Sequence, residues 1–462
     1  MIALSTETIA AIATPPGHGA VGIIRVSGTC ARVIVTKHFA SSRRTFRELR
    51  PYRLHHGHFF NGTGQILDEV LVAFMPGPGS FTGEDVVEIN CHGSPVVLQS
   101  ILETLLQEGV HPANPGEFTQ RAFLNGRMDL TQAEAVAEII SAVSPTASLL
   151  AQNKLSGALR HCLQGLRDRL EELRAQLCLA VDFPEEEVEC LSPELFLQSV
   201  EDIRKQLGIL LQGHLQSRIW NDGALCVLSG AVNAGKSSLL NQLLGRQRAI
   251  VSPEPGTTRD YLEERITLHG LSLRLVDVAG TRKEAGILER EGLALARQFQ
   301  DEADLILLVV DIATQAPLGV VKDQNLSLYP PSRTLIVANK CDLKRDPETE
   351  SFLSNQGYDV VPVSAKNGQG LEELQDRIWR RLIANSPEPR PDALTLNLRQ
   401  SGALEQAALE LERLREDIMQ NVPYDLLGVR LESASVILAE ITGEITSDEI
   451  LESIFQRFCI GK

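Results

Sequence analysis

The sequence predicts a multidomain α/β-plus-α fold: an N-terminal α/β domain, a helical bundle, and a second, doubly wound α/β domain inserted into that bundle. Three observations carry the prediction. Over residues 1–125, short β-branched runs that end on glycine or proline are mixed with helical spacing. Residues 126–222 and 385–462 are mainly long Leu/Ala-rich stretches whose apolar positions recur at three and four. Residues 223–384 return to apolar runs, each closing on Gly, Asp, Asn or Ser and separated by helical segments, as in a parallel sheet with crossover helices.

The bulk properties fit that division. A chain of 462 residues is too long for one ordinary core. Aromatics make up only 5%, so the cores are expected to be built from Leu, Ile, Val and Ala. The formal net charge of −16 argues against a broad nucleic-acid footprint, although it leaves room for a local basic face. Eight cysteines are scattered with no C-x-x-C pair, which suits reduced thiols rather than a disulfide framework or a zinc site. The N-terminus lacks a basic leader and no apolar run approaches a membrane span, so a cytoplasmic protein with no membrane association is expected.

In chain order, "AVGIIRVSG", "DEVLVAFMPG" and "DVVEINCHG" read as strands, and "SPVVLQSILETLLQEG" as a helix with a terminal glycine. "DLTQAEAVAEIISAV", the run from Ala147 to Val181, and "SPELFLQSVEDIRKQLGILLQGHLQSRI" read as long bundle helices, with "DFPEEEVE" as an acidic loop. Then "LCVLSG", "LRLVDVAG", "DLILLVVD", "TLIVANKCD" and "YDVVPVSAK" read as strands, "ANSPEPRPDAL" as a Pro-rich exit, and 398–458 as helical again. Insertion of one domain into another is easy where the insert's termini lie close together.

"GAVNAGKS" fits G-x-x-x-x-G-K-[ST] from Gly230 to Ser237, after a strand and opening a helix, so the segment reads as a P-loop. Glycines at both ends let backbone N–H groups of Asn233, Ala234, Gly235 and Ser238 turn toward phosphate. Lys236 would reach the β- and γ-phosphates and Ser237 would bind Mg²⁺. Forty residues on, Asp277 would hold the Mg²⁺ through water, while Val278, Ala279 and Gly280 meet the γ-phosphate. In "NKCD" (Asn339, Lys340, Cys341, Asp342), the Asp342 carboxylate accepts from the ring N–H and the exocyclic amine of guanine. Adenine offers neither donor there and would leave the carboxylate unpaired. Ser364, Ala365 and Lys366 complete the base pocket. Four such motifs in order imply GTP binding.

Where a Ras-like switch places a water-orienting Gln after "DVAG", this chain has Thr281 and Arg282. Asn233 is polar inside the phosphate loop, and Ser252, Pro253, Glu254, Pro255, Gly256, Thr257 and Thr258 form a segment rich in potential ligands. A monovalent cation held there by Asn233 would stabilise charge in place of an arginine finger. A capping Asn beside a flexible acidic loop is the plainer alternative.

The flanks narrow the reading. "TIAAIATPPGHGAVGIIRVSG", "FTGEDVVEINCHG", "NPGEFTQRAFLNGRMDLTQAEAVAEII", "DFPEEE" and the final "FCIGK", together with the four nucleotide motifs, closely resemble the MnmE (TrmE) family of tRNA-modification GTPases. The resemblance covers essentially the whole chain in the same order. It implies a folate-binding, dimer-forming domain at 1–125, a helical domain at 126–222 and 385–462, and an inserted Ras-like GTPase domain at 223–384. It also implies a homodimer that works with the flavoprotein MnmG on tRNA. The reaction implied is addition of an aminomethyl or carboxymethylaminomethyl group at the 5-position of the wobble uridine, uridine 34, with the carbon drawn from a tetrahydrofolate derivative (5-formyl or 5,10-methylene).

By the same resemblance, K⁺ is held by Asn233, Ser252, Glu254 and Thr257 and draws two GTPase domains together, and Mg²⁺ is held by Ser237 and Thr258. Glu289 positions the attacking water, with Glu284 and Glu291 nearby in sequence. The folate site carries over to Arg25, Glu88 and Arg127, with Lys462 meeting a folate carboxylate and Cys459 a candidate reactive group. Arg127 stands where many relatives have Lys, and His18 and Ala20 stand where Arg and Gly are common. From chemistry alone, Arg25 and Glu88 read as ordinary strand-end charges and Cys459 as an exposed tail thiol. The net charge further suggests that much of the tRNA contact comes from the partner. Two other classes compete: a ribosome-assembly GTPase, which predicts a basic RNA-binding appendage, and a folate one-carbon transferase with a regulatory GTPase domain.

Overall fold

The computed structural model describes residues 7–182, 193–247, 262–277, 297–314, 326–343, 347–420 and 422–462. The chain divides into two compact units, one of residues 1–137, 154–204 and 402–462, the other of residues 138–153 and 205–401.

The first unit is built on a seven-stranded sheet in the order β3-β4-β5-β6-β2-β1-β7. Its strands are β1 (Ile9–Ile12), β2 (Val21–Ser27), β3 (Phe39–Ser41), β4 (Leu54–Phe60), β5 (Ile66–Met75), β6 (Val86–His92) and β7 (His111–Pro112). Strict alternation in "VGIIRVS" buries Gly22, Ile24 and Val26 and turns Ile23 and Arg25 to the other face. Helices α1 (Ala31–His38) and α2 (Pro95–Gln107) help cover one face, where Ile24, Val26, Val87, Ile89, Leu98 and Ile101 share a core. Cross-strand register places Arg25 opposite Glu88, and Glu88 opposite Ala73, in one row of the other face.

Two short helices, α3 (Glu117–Leu124) and α4 (Leu130–Ser141), follow. The C-terminal helix Asp448–Phe455 starts on Ser447, whose hydroxyl accepts from the Ile450 N–H, and packs Leu451, Ile454, Phe455 and Phe458 on Leu130 and Ala133. Each such buried side chain contributes roughly 1.5–3 kcal/mol against exposure. That packing fixes where the last four residues lie.

The second unit holds a six-stranded sheet in the order β13-β12-β11-β8-β10-β9. It comprises β8 (Ala224–Ser229), β9 (Leu262–Leu268), β10 (Leu271–Asp277), β11 (Leu305–Asp311), β12 (Thr334–Asn339) and β13 (Asp359–Val363). Five strands are parallel and carry near-continuous apolar runs, as expected for a sheet covered on both faces. The parallel sheet expected from sequence is extended by a strand that reading did not include, β9, which pairs antiparallel with β10. Between them, His269 (φ 47°) and Gly270 (φ 85°) both take left-handed backbone, the geometry of a two-residue hairpin turn.

A correction concerns the run from Ala147 to Val181. It is broken into α5 (Pro145–Leu155) and α6 (Ala158–Asp182), because Gly157 sits at φ 87° and ends the first helix. The acidic segment "DFPEEEVE" lies outside the described residues. In the second unit, the part of α7 (Pro193–Asp222) from residue 205 onward carries Trp220, whose indole N–H donates to Ser386 O at 3.1 Å, and His214, which bonds Leu396 O at 2.7 Å. The C-terminal half of α7 and the Pro-rich exit are thereby tied together. Among the described residues, no helix is long and apolar enough to cross a membrane.

Candidate functional site

The centre of the second sheet creates the nucleotide-binding geometry. β8 lies between β11 and β10, so the chain order reverses there and a crevice opens at the carboxyl ends of the strands. The phosphate loop leaves β8 at Ser229 and enters α8 (Lys236–Gln247). Gly230 has φ 133°, and a Cβ there would stand 2.2 Å from Val309 O. Gly235 has φ 95°, and a Cβ there would stand 2.2 Å from Asn339 Nδ2. Both positions therefore exclude a side chain, by backbone conformation and by space. Asn233 is left-handed at φ 64°, a conformation Asn tolerates better than most residues, and its side chain is exposed.

Lys236 is buried, and its Nζ donates to Gly230 O at 2.9 Å and to Ala231 O at 2.7 Å. The ammonium thus lies along the loop that a phosphate chain would occupy. Ser237 Oγ donates to Asp277 Oδ2 at 3.2 Å, and Asp277 is buried at the end of β10. A hydroxyl beside a carboxylate at the start of a helix is a donor set that fits Mg²⁺.

Asn339, at the end of β12, is 1% exposed. Its amide nitrogen donates to Ala234 O at 2.8 Å, and its amide oxygen accepts from the Ala365 N–H at 3.0 Å. One side chain thus fastens the "NKCD" segment to the phosphate loop and to "SAK". Cys341 N–H donates to Val363 O at 3.2 Å and joins the two base-pocket segments directly. Lys340, at φ 66°, reaches Asp311 Oδ2 at 2.5 Å. The Asp342 and Lys366 side chains are exposed, and Ser364 and Ala365 are buried. Asp311, which ends β11, is a member of this cluster that sequence reasoning missed; its position at the close of "LILLVVD" was the available signal.

Residues 233–238, 277, 339–342 and 364–366 therefore share one end of the sheet. Ser252, Pro253, Glu254, Pro255, Gly256, Thr257, Thr258, Val278, Ala279, Gly280, Thr281, Arg282, Glu284, Glu289 and Glu291 lie outside the described residues. Among the described residues, no group of three His, Cys, Asp or Glu side chains is placed to hold a metal ion.

A second constellation lies in the first unit. Arg25 Nε donates to Glu88 Oε1 at 3.0 Å, and Nη2 lies 2.8 Å from the same oxygen. Arg25 Nη1 donates to Gly461 O at 3.2 Å, across 436 residues of chain. The rings of Phe81 and Phe118 each lie 5.7 Å from the guanidinium. The Phe118 N–H donates to Lys462 O at 3.2 Å, and a Cβ at Gly461 would stand 2.6 Å from Ile12 O. The final residues are therefore seated against β1 and α3.

Burial, and next the nearby Arg25 charge, hold the Lys462 ammonium below its ordinary value, with Glu88 and Cys459 opposing. Cys459 is exposed, as the chemistry-only reading has it. Arg127 is exposed, with its stem near Gly83, while His18 and Ala20 are exposed. Arg25 and Glu88 are thus paired with each other, where the sequence reading treated them as separate ligands. A guanidinium flanked by two aromatic rings and paired with a carboxylate is chemistry that suits a flat heterocycle bearing acidic groups. Phe81 and Phe118 were legible only as members of "SFTGED" and "GEFTQ".

Comparison with known proteins finds matches to both the N-terminal and the helical parts of the chain. The family model described as the MnmE helical domain matches residues 130–459, and that of the GTP-binding protein TrmE N-terminus matches residues 8–127. The tRNA modification GTPase MnmE of Nitratidesulfovibrio vulgaris (strain DP4) is 50% identical over 458 residues, 99% of each chain. The protein of the same name from Lawsonia intracellularis is 46% identical, covering 99% of this chain and 100% of its own. That from Carboxydothermus hydrogenoformans is 40% identical over 99% of both. A family model spanning most of the residues, and relatives of such identity aligned along 99% of them, place this chain in the MnmE family of tRNA modification GTPases.

Proposed function

We propose that the chain is the GTP-hydrolysing subunit of a wobble-uridine modification enzyme. It acts as a homodimer with the flavoprotein MnmG and adds an aminomethyl or carboxymethylaminomethyl group at the 5-position of uridine 34. The observation that carries the GTPase part is the Asn339 side chain bonded to both Ala234 and Ala365, which makes the phosphate loop and the guanine pocket one unit. The domain limits 1–125, 126–222, 223–384 and 385–462 are the functional divisions this reading assigns.

In this reading Lys236 exchanges its two loop carbonyls for phosphate oxygens. Asn233, Ala234, Gly235 and Ser238 supply backbone donors, and Asp342 reads guanine beside Lys340, Cys341, Ser364 and Lys366. Ser237, with Thr258, holds Mg²⁺, which neutralises charge on the phosphates when bound. Asn233, with Ser252, Glu254 and Thr257, holds K⁺, which brings two GTPase domains together. Glu289 orients the attacking water. A tetrahydrofolate derivative supplies the one-carbon unit when bound. Arg25, Glu88, Arg127 and Lys462 bind and orient it, and Cys459 stands nearby on the seated tail. The cytoplasm is the compartment this reaction implies.

The experiment is deletion of the gene in its host followed by mass spectrometry of total tRNA nucleosides. The aminomethyl-type wobble uridines should disappear and return with the intact gene but not with Lys236→Ala. An unchanged profile in a host without a redundant enzyme would instead favour ribosome assembly.

A further inference from the structure

Residues 43–53, "RRTFRELRPYR", run against the charge of the molecule. They hold Arg43, Arg44, Arg47, Arg50 and Arg53 in a chain whose formal net charge is −16. All five side chains are exposed, and none has an ion-pair or hydrogen-bond partner among the described residues. The one acid of the stretch, Glu48, is already engaged by Arg32 of α1 at 2.6 Å. The segment joins the edge strand β3 to β4, so its outer side faces no further strand.

The backbone that carries these arginines is fastened. Ser42 N–H donates to His56 O at 3.0 Å, Phe46 N–H to Arg43 O at 3.0 Å and Tyr52 N–H to Phe74 O at 2.8 Å. The Arg50 N–H donates to His55 Nε2 at 2.9 Å. Leu49 is fully buried, and the Phe46 ring stands edge-on to Phe39 at 5.7 Å and to His55 at 5.5 Å. Tyr52 holds a left-handed backbone at φ 54° and is 63% exposed. Exposed cations on a fastened backbone, beside an open aromatic face, match a nucleic-acid backbone with unstacked bases: guanidinium forks take phosphate oxygens and a ring takes a base. A protein interface would instead centre on apolar anchors with charge at its rim.

We infer that residues 43–53 are a phosphate-backbone docking surface for RNA; resting on the function proposed above, that RNA is the tRNA substrate. The net charge of the chain hides this surface, because the stretch holds one acid, Glu48, and the chain's other acids lie outside it. On this inference the chain itself supplies part of the tRNA contact, beside whatever the partner supplies. Contacts of this kind position the RNA and carry no sequence information.

The test uses the full-length chain and a transcribed tRNA, with binding followed by fluorescence anisotropy across a KCl series. Replacing all five arginines by Gln should weaken binding at least tenfold and flatten the log–log salt slope by roughly 3–5, near one per lost phosphate contact. Replacing all five by Lys should keep most of the slope. Basal GTP hydrolysis should match the wild type in both variants, and an unchanged circular dichroism spectrum with native protection of Cys91 from alkylation shows that the first unit of each has folded.

A Gln variant with wild-type affinity and slope overturns the inference. So does wild-type binding of poly-glutamate as tight as that of tRNA, which would point to an acidic protein. The nucleoside analysis separates the two readings. Lost wobble modification with undiminished tRNA binding by the Gln variant sinks only the surface. Intact modification with arginine-dependent binding sinks only the proposed function.

Discussion

The side-chain amide nitrogen of Asn339 lies 2.8 Å from the carbonyl oxygen of Ala234, in a buried position between the "NKCD" segment and the phosphate loop. The opposite end of the same amide accepts from Ala365, so both hydrogen-bonding atoms of one residue are spent on joining three segments.

Asn339→Ala should therefore loosen the pocket without unfolding the sheet. It strands the Ala365 N–H and the Ala234 carbonyl, each costing about 1–3 kcal/mol if left without a partner. Titration with a fluorescent guanine nucleotide should show affinity lower by about 10- to 100-fold. Unaltered affinity would mean that nucleotide contacts alone hold the loop.

Turnover should part from affinity at Glu289. Glu289→Ala is expected to keep GTP binding near wild type and to slow hydrolysis by roughly 10²-fold or more if it orients water. Single-turnover hydrolysis in KCl and in NaCl reads both effects together. An unchanged rate in KCl would move the role to Glu284, Glu291 or the cation.

His92 gives a pH signature. A hydrogen bond to Asp68, and then that carboxylate's charge, raise the imidazole above its ordinary value of 6.5; the Nδ1 to Asp68 Oδ1 distance is 2.7 Å. Because the folded value is the higher one, the stabilisation is complete below 6.5 and is lost as pH rises through the folded value. Asp68→Asn should return the His92 titration to the ordinary value, followed by NMR of labelled histidines. A titration unmoved by that change would remove Asp68 as the cause.

Thiol labelling tests the packing of both units. Burial, and next the Asp68 charge, push the Cys91 thiol up to about 11, and burial raises Cys226 further still. Cys30, Cys178 and Cys459 are exposed. Iodoacetamide at pH 8 should modify those three in the native protein and reach Cys91 and Cys226 only after unfolding, as read by peptide mass spectrometry. Early labelling of Cys226 would show that the nucleotide-binding sheet opens under native conditions.

Most strands were legible because their signals are contiguous: "LCVLSG", "DLILLVVD" and "TLIVAN" each form one apolar run. β9 escaped notice because "LEERITL" mixes charge with its apolar residues and pairs on one side only, at the sheet edge. Gly157 was hidden inside a helical pattern, since one glycine does not announce a break until its φ is known. The five exposed arginines were visible in the sequence but masked by the overall charge.

By itself the sequence determined the order of the motifs, the existence of a phosphate loop and guanine-type pocket, and the family resemblance. Each of these is written in residues close together along the chain, where steric rules and spacing act locally. Tertiary structure alone decided that Asn339 joins Ala234 to Ala365, that Arg25 is shared between Glu88 and the Gly461 carbonyl, and that the arginines from Arg43 to Arg53 stand exposed on a tethered backbone with no acidic partner among the described residues. Those relationships span up to 436 residues, and no local periodicity encodes them. They exist only once cores such as Leu130 with Phe455 have closed the long loops and offset the entropy of ordering them.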